Sequence, residues 1–174
     1  TLDITDNMVD LLVGKLKKLP DLTQEVLLFA ACIGNRFDAY TLSIINDKKM
    51  IDIKHDLLPA VQEELIVPLS KLDMPERHSG EKDFAVNEYK FLHDRVQQAA
   101  YSLIGLDRRK DIHLTIGRKL LKKLSPQEQE EQIFIVVNQM NWGLELLTDE
   151  AEKVKLASLN LSAGKKAKTA TAFE

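Results

Sequence analysis

A chain of 174 residues with 44% hydrophobic and 29% charged side chains can bury one sizeable core or two small ones. Its formal net charge of −3 argues against a surface built to neutralise many phosphates. No apolar run approaches the roughly 20 residues that span a bilayer, and no signal-peptide pattern opens the chain, so no membrane partner is expected.

Cysteine usage points the same way. Cys32 is the single cysteine and cannot form an internal disulfide, which fits a reducing cytoplasm. Its setting, Phe29-Ala30-Ala31-Cys32-Ile33, is apolar on both sides and reads as a packed core thiol rather than a nucleophile. The chain has no initiator Met and ends at Phe173-Glu174 within a helical pattern, so it is expected to be a segment of a longer protein.

Residues 4–19 place Ile4, Met8, Leu11, Leu12, Leu16 and Leu19 at helical spacing, with Lys15, Lys17 and Lys18 at the end where cations suit the helix dipole. Pro20 breaks that helix. Asp21 with Gln24 predicts a capping box for a buried second helix, which Gly34 closes. Asp38 caps a short helix to about Asn46. The next helix runs from Asp47 or Asp52 to Glu64, with Leu57, Leu58, Val61 and Leu65 inward, and Pro59 must kink it or mark a late start.

Two β runs follow, Ile66 to Ser70, restricted to an edge by Pro68, and Val86 to Leu92. The polar stretch Lys71 to Lys82 between them reads as an exposed hairpin tip. Three helices and a two-stranded hairpin make a winged helix, expected over residues 1–106. The rest, 107–174, reads as helical. Asp107 starts a helix through Leu124, and Ser125-Pro126 with Glu128 opens another that runs toward Leu147. Thr148, Asp149 and Glu150 open the last helix, whose Ala163, Gly164, Ala167, Ala170 and Ala172 would let a neighbour approach closely. One helical hairpin cannot cover its own apolar face, so antiparallel hairpins of the TPR type, continuing beyond this chain, are expected.

The chemistry concentrates at Phe91-Leu92-His93-Asp94-Arg95-Val96-Gln97-Gln98-Ala99-Ala100-Tyr101. A strand-like run, Tyr89 to Leu92, stops at a His-Asp pair, and a helix bearing Val96, Ala99, Ala100, Leu103 and Ile104 begins at once. His93 is thereby set beside a helix N-terminus, whose unpaired N–H groups attract phosphate. On the residues alone the pair reads first as structural, with Asp94 in the helix's first turn and His93 a satisfied junction residue.

Leu92-His93-Asp94 resembles the Met-His-Asp-like motif in the winged helix of STAND-class signalling ATPases. Leu19-Pro20 through Phe37, with Ala30-Ala31-Cys32-Ile33-Gly34-Asn35-Arg36-Phe37, resembles the region after the ATPase module in large bacterial proteins. Those proteins join a serine/threonine kinase-like domain, a predicted ATPase and a sensor histidine kinase. Phe91 to Tyr101 and Ser125 to Gln139 resemble the same region. The resemblance implies a non-catalytic interdomain module in which His93 contacts the phosphates of ADP bound by an upstream domain, while Asp94 supports the turn. It implies ADP or ATP in the parent and no cofactor in this segment. The expected partners are the upstream nucleotide-binding domain and the downstream helical repeats, with protein ligands reached through the repeats.

Two rivals carry specific residues. His55-Asp56 and His93-Asp94, with Asp111 and His113 conscripted, could serve an HD-type metal phosphohydrolase, although a β hairpin fits poorly with an all-helical metal cage. A winged-helix DNA-binding regulator would read bases with Asp52-Ile53-Lys54-His55-Asp56, a helix without the Arg and Asn display for base edges. Lys48, Lys49 and Lys54 are offset there by Asp47, Asp52 and Asp56, and Arg108-Arg109-Lys110 reads as a solvated face. No nucleic acid, catalytic residue or metal is expected. No P-loop is present: Gly14-Lys15 precedes Leu16, and Gly164-Lys165 precedes Lys166.

Overall fold

A computed structural model describes residues 2–69 and 87–171, and is mainly helical with one small sheet. The chain divides into two compact units, Thr1–Ile104 and Gly105–Glu174. The expected hairpin tip, Lys71 to Lys82, lies outside the described residues, as do Ser70, Val86 and Ala172.

In the first unit, helix α1 (Leu2–Leu16) packs on α5 (Asp94–Ser102). Leu16 is fully buried with Leu12 and Val13 beside it, whereas Met8 and Leu11, expected on the inner stripe, are exposed. The helix stops short of Leu19, which enters the core from the turn that follows, its N–H donating to Leu16 O at 3.1 Å. Helix α2 (Asp21–Ile33) starts without a capping box, because its flanking residue is Pro20, which has no N–H to give. Gln24 turns backward instead, donating from Nε2 to Leu19 O at 2.8 Å and Lys17 O at 3.3 Å. It thereby satisfies carbonyls left open by α1. Gly34, at φ 148°, ends α2 as expected, in a conformation that favours glycine.

Strand β1 (Arg36–Asp38) is an addition to the expected architecture. The sheet has three strands in the order β1-β3-β2, so β3 (Glu88–Phe91) is central and β2 (Ile66–Leu69), with Pro68, forms an edge. Both pairings are antiparallel, with Phe37 opposite Tyr89 and Ile66 opposite Phe91. Three residues are too few for a period-2 pattern to show, yet Phe37 is buried and stacks on Tyr89 with ring centroids 6.0 Å apart.

Helix α3 (Ala39–Asn46) is capped by Asp38, which accepts from both N and Oγ1 of Thr41 at 2.7 Å. Thr41 is fully buried, so Asp38→Ala would remove a buried hydroxyl–carboxylate bond as well as unmake the cap. Such a loss is expected to cost about 1–2 kcal/mol, read as a lower urea midpoint at unchanged slope. Asp47, at φ 55°, closes α3, so α4 (Met50–Gln62) starts between the two expected positions and contains Pro59. Its inner stripe is Ile53, Leu57 and Ala60, spaced i, i+4, i+7. Leu58, one step off that stripe, is exposed rather than inward.

In the second unit, α6 (Leu106–Lys123) is followed by a reciprocal capping box. Ser125 Oγ accepts from Glu128 N, and Glu128 Oε2 accepts from Ser125 N, with Pro126 at the first helical position. The single helix expected from there to Leu147 is broken into α7 (Pro126–Glu131), α8 (Ile133–Trp142) and a 3-10 turn (Leu144–Leu146). The break at Gln132 has a physical reason. Ile133-Phe134-Ile135-Val136-Val137 is apolar all round, and reorienting the axis buries Ile133, Val136 and Val137 while Phe134 faces out.

Helix α8 packs against both α6 and α9 (Glu150–Thr171). Asn141 and Asn160 exchange amide hydrogen bonds at 2.9 and 3.0 Å between α8 and α9, and Arg118 forks onto Glu152 with both contacts at 2.6 Å. Of the small residues of α9, Ala163 is buried, and Gly164, Ala167 and Ala170 are exposed. Close approach within the unit falls on Gly117 and Gly143, between α6 and α8. Among the described residues no helix is long and apolar enough to cross a membrane.

Candidate functional site

The corner at His93 is built by β3 and α5. Tyr89 and Phe91 point inward along β3, and Phe91 packs on Phe37 with ring centroids 5.2 Å apart. The strand ends at Phe91, one residue before the expected Leu92, and both residues around that end are tied. Phe91 N donates to Asn35 O and Leu92 N to Leu65 O, each at 3.0 Å. Beyond the corner, α5 buries Val96, Ala99 and Ala100, and Gln97 Nε2 donates to Ala31 O on α2 at 3.1 Å.

Between these anchors His93 is the residue flanking the start of α5, extended at φ −142°, ψ 150°. Its carbonyl accepts from Val96 N at 2.9 Å, while its side chain makes no capping bond. His93, Asp94 and Leu92 are exposed. The start of α5 therefore has no side-chain cap from His93, whose exposed imidazole can offer an N–H to a hydrogen-bond partner. Such a corner can hydrogen-bond an anionic group presented from outside the chain.

The residues of the rival readings do not gather there. Among the described residues no group of three or more His, Cys, Asp or Glu side chains could hold a metal ion. His55 is exposed on α4. His113 belongs to the second unit, where it is buried between α6 and α8 with Nδ1 2.6 Å from Gln139 Oε1. The sequence offered His113 only as a conscript ligand; the signal for its actual place was Gln139, the one polar side chain among those that α8 buries. Just before α4, Lys48 pairs with Asp56 at 2.9 Å, and the exposed row Ile51, His55 and Leu58 on α4 offers no guanidinium or carboxamide. Cys32 is buried and takes part in no disulfide.

Fold and corner together define a mainly α segment with an exposed histidine at a strand-to-helix turn. No family model matches the chain, and no solved structure matches it. Among curated proteins it is similar to hybrid signal transduction histidine kinase G of Dictyostelium discoideum. The two are 33% identical over 208 aligned residues, which cover 98% of this chain. The chain spans only 6% of the length of that relative.

Proposed function

We propose that the chain is a non-catalytic regulatory module of a larger signal-transduction protein, in which His93 reads the nucleotide state of a neighbouring domain. The observation that carries this reading is the exposed His93 imidazole on a corner fixed from β1, β2 and α2, beside the uncapped start of α5. A histidine donor with helix N–H groups complements a diphosphate. The order α2-β1-α3-α4-β2-β3 is the order a winged helix takes, which supports that description of the first unit. Antiparallel packing of α6, α8 and α9 fits the opening of a TPR-like array, with Val154 and Leu161 left exposed for a following helix. Similarity to a small part of a long signalling kinase fits an interdomain segment.

The parent supplies the P-loop and any ATPase or kinase chemistry, in the cytoplasm. This module docks on its nucleotide-binding domain and relays ADP or ATP occupancy to the repeats. No duplex DNA is expected as its partner: α4 turns Ile51 and Leu58 outward, and Lys48 beside it pairs with Asp56.

The test is His93→Ala in the full-length parent, with ADP affinity and signalling output measured beside wild type. Losing a hydrogen bond to a charged phosphate costs about 1.5–3 kcal/mol, so ADP should bind about 10- to 100-fold more weakly and the open state should gain population. The isolated chain should bind no ADP measurably, having one wall of the site. Unchanged affinity and output in the variant would make His93 a junction residue.

A further inference from the structure

The α6–α8 seam holds a titratable side chain that the corner at His93 does not use. His113, on α6, is 3% exposed. Its Nδ1 lies 2.6 Å from Oε1 of the fully buried Gln139, and its ring stacks on the Trp142 indole at 5.2 Å and 15°. A carboxamide oxygen only accepts, so Nδ1 carries the proton and Nε2 keeps the lone pair.

Next to the ring the seam has no slack. A Cβ on Gly143, the residue after Trp142, would stand 2.6 Å from Leu114 Cβ and 2.9 Å from Lys110 O. Trp142 itself is 53% exposed, so the ring is separated from solvent by one indole at the end of α8.

The charges around the seam do not favour a second proton on this ring. Helix α8 has no ionisable side chain. On α6, Arg109 repels an imidazolium, Lys110 pairs with Glu145 of the 3-10 turn, and Asp111 lies near Arg118. Arg118 in turn holds Glu152 of α9. Of the acids on α7, Glu128 is held in the capping box, and Glu130 and Glu131 are exposed.

We infer that this seam is an acid-sensitive latch: a proton taken up at His113 Nε2 drives the ring toward water, displacing Trp142 and the end of α8. Because Asn141 on that same turn is bonded to Asn160, the displacement loosens the hold on α9. Burial, ahead of the repulsion from Arg109, lowers the His113 pKa below its ordinary 6.5, while the bond from Gln139 opposes the shift. The native seam then binds fewer protons than the opened one. Its closure is fully present above 6.5 and is lost as pH falls through the depressed value.

Trp142 is the single tryptophan of the chain, so its fluorescence reports on the latch directly. Titrating the whole chain from neutral to mildly acidic pH should give a one-proton change in emission with its midpoint below 6.5, while far-UV circular dichroism holds steady. His113→Gln should abolish the change. The same titration persisting in that variant, or helical signal lost in step with emission, would overturn the latch. Where His113→Gln fails to fold, the His113 Hε1 proton resonance of the wild-type chain gives the midpoint, and a value at or above 6.5 overturns it equally.

Discussion

Phe91→Ala is expected to remove about 3–5 kcal/mol from the first unit, a large part of the total for a domain whose net stability is about 5–15 kcal/mol. Phe91 is 1% exposed and among the largest fully buried side chains. It sits on the central strand, paired with Ile66 in β2, and its ring packs on Phe37 from β1. Truncation therefore leaves a cavity where three strands meet, with partners on both sides that cannot collapse into it without giving up ladder bonds. The change also reaches the candidate site, because the Phe91 and Leu92 amides are what tie the approach to His93. Urea unfolding followed by circular dichroism gives the magnitude. A loss under about 1 kcal/mol would mean that the aromatic cluster does not hold the corner, since core aromatic truncations cost more than that. Under the proposed function, Phe91→Ala in the full-length parent should also weaken the response to nucleotide with His93 still present, as expected when a rigid support is lost.

What the sequence made legible was mostly local chemistry. The Ser125 capping box, the Asp38 cap and the Gly34 stop each involve residues within a few positions of one another, and each stands where the sequence implies. The antiparallel pairing of Ile66–Leu69 with Glu88–Phe91 was legible from alternation and from Pro68 marking an edge. Long-range choices were not. Strand β1 exists because Arg36–Asp38 finds Glu88–Lys90, a pairing with no trace in three residues. Gln24 serves the helix before it, which a capping pattern read forward along the chain cannot show. Met8, Leu11 and Leu58 are apolar residues on faces that nothing described here covers, so hydrophobicity alone placed them inward in error. The position of His93 at a strand-to-helix turn was legible; the carbonyls that hold that turn, accepting from the Phe91 and Leu92 amides, come from Asn35 and Leu65, remote in sequence.

Gly143→Val should destabilise the second unit by about 3 kcal/mol, the upper end of the usual overpacking range. The atoms that a Cβ would meet are the Leu114 Cβ at 2.6 Å and the Lys110 carbonyl oxygen at 2.9 Å, both fixed to the α6 backbone, so no rotamer change relieves the contact. At φ −97°, ψ 9° the backbone is acceptable to other residues, and the whole penalty must come from pushing α6 and the end of α8 apart. Gly117 provides the internal comparison. Its added Cβ would meet the Met140 Cγ and Sδ at 2.7 Å, the far part of a flexible side chain, with the Met140 N at 3.3 Å. Gly117→Ala also gains about 1 kcal/mol of helix propensity inside α6, so its net effect should fall near zero. Trp142 emission during urea unfolding reads both variants on the same unit. Equal destabilisation of the two would show that general crowding, rather than the rigid contact at Gly143, sets the spacing of α6 and α8. A large loss confined to Gly143→Val would show that the approach of Lys110 and Leu114 fixes the end of α8, and with it the place of the indole over His113.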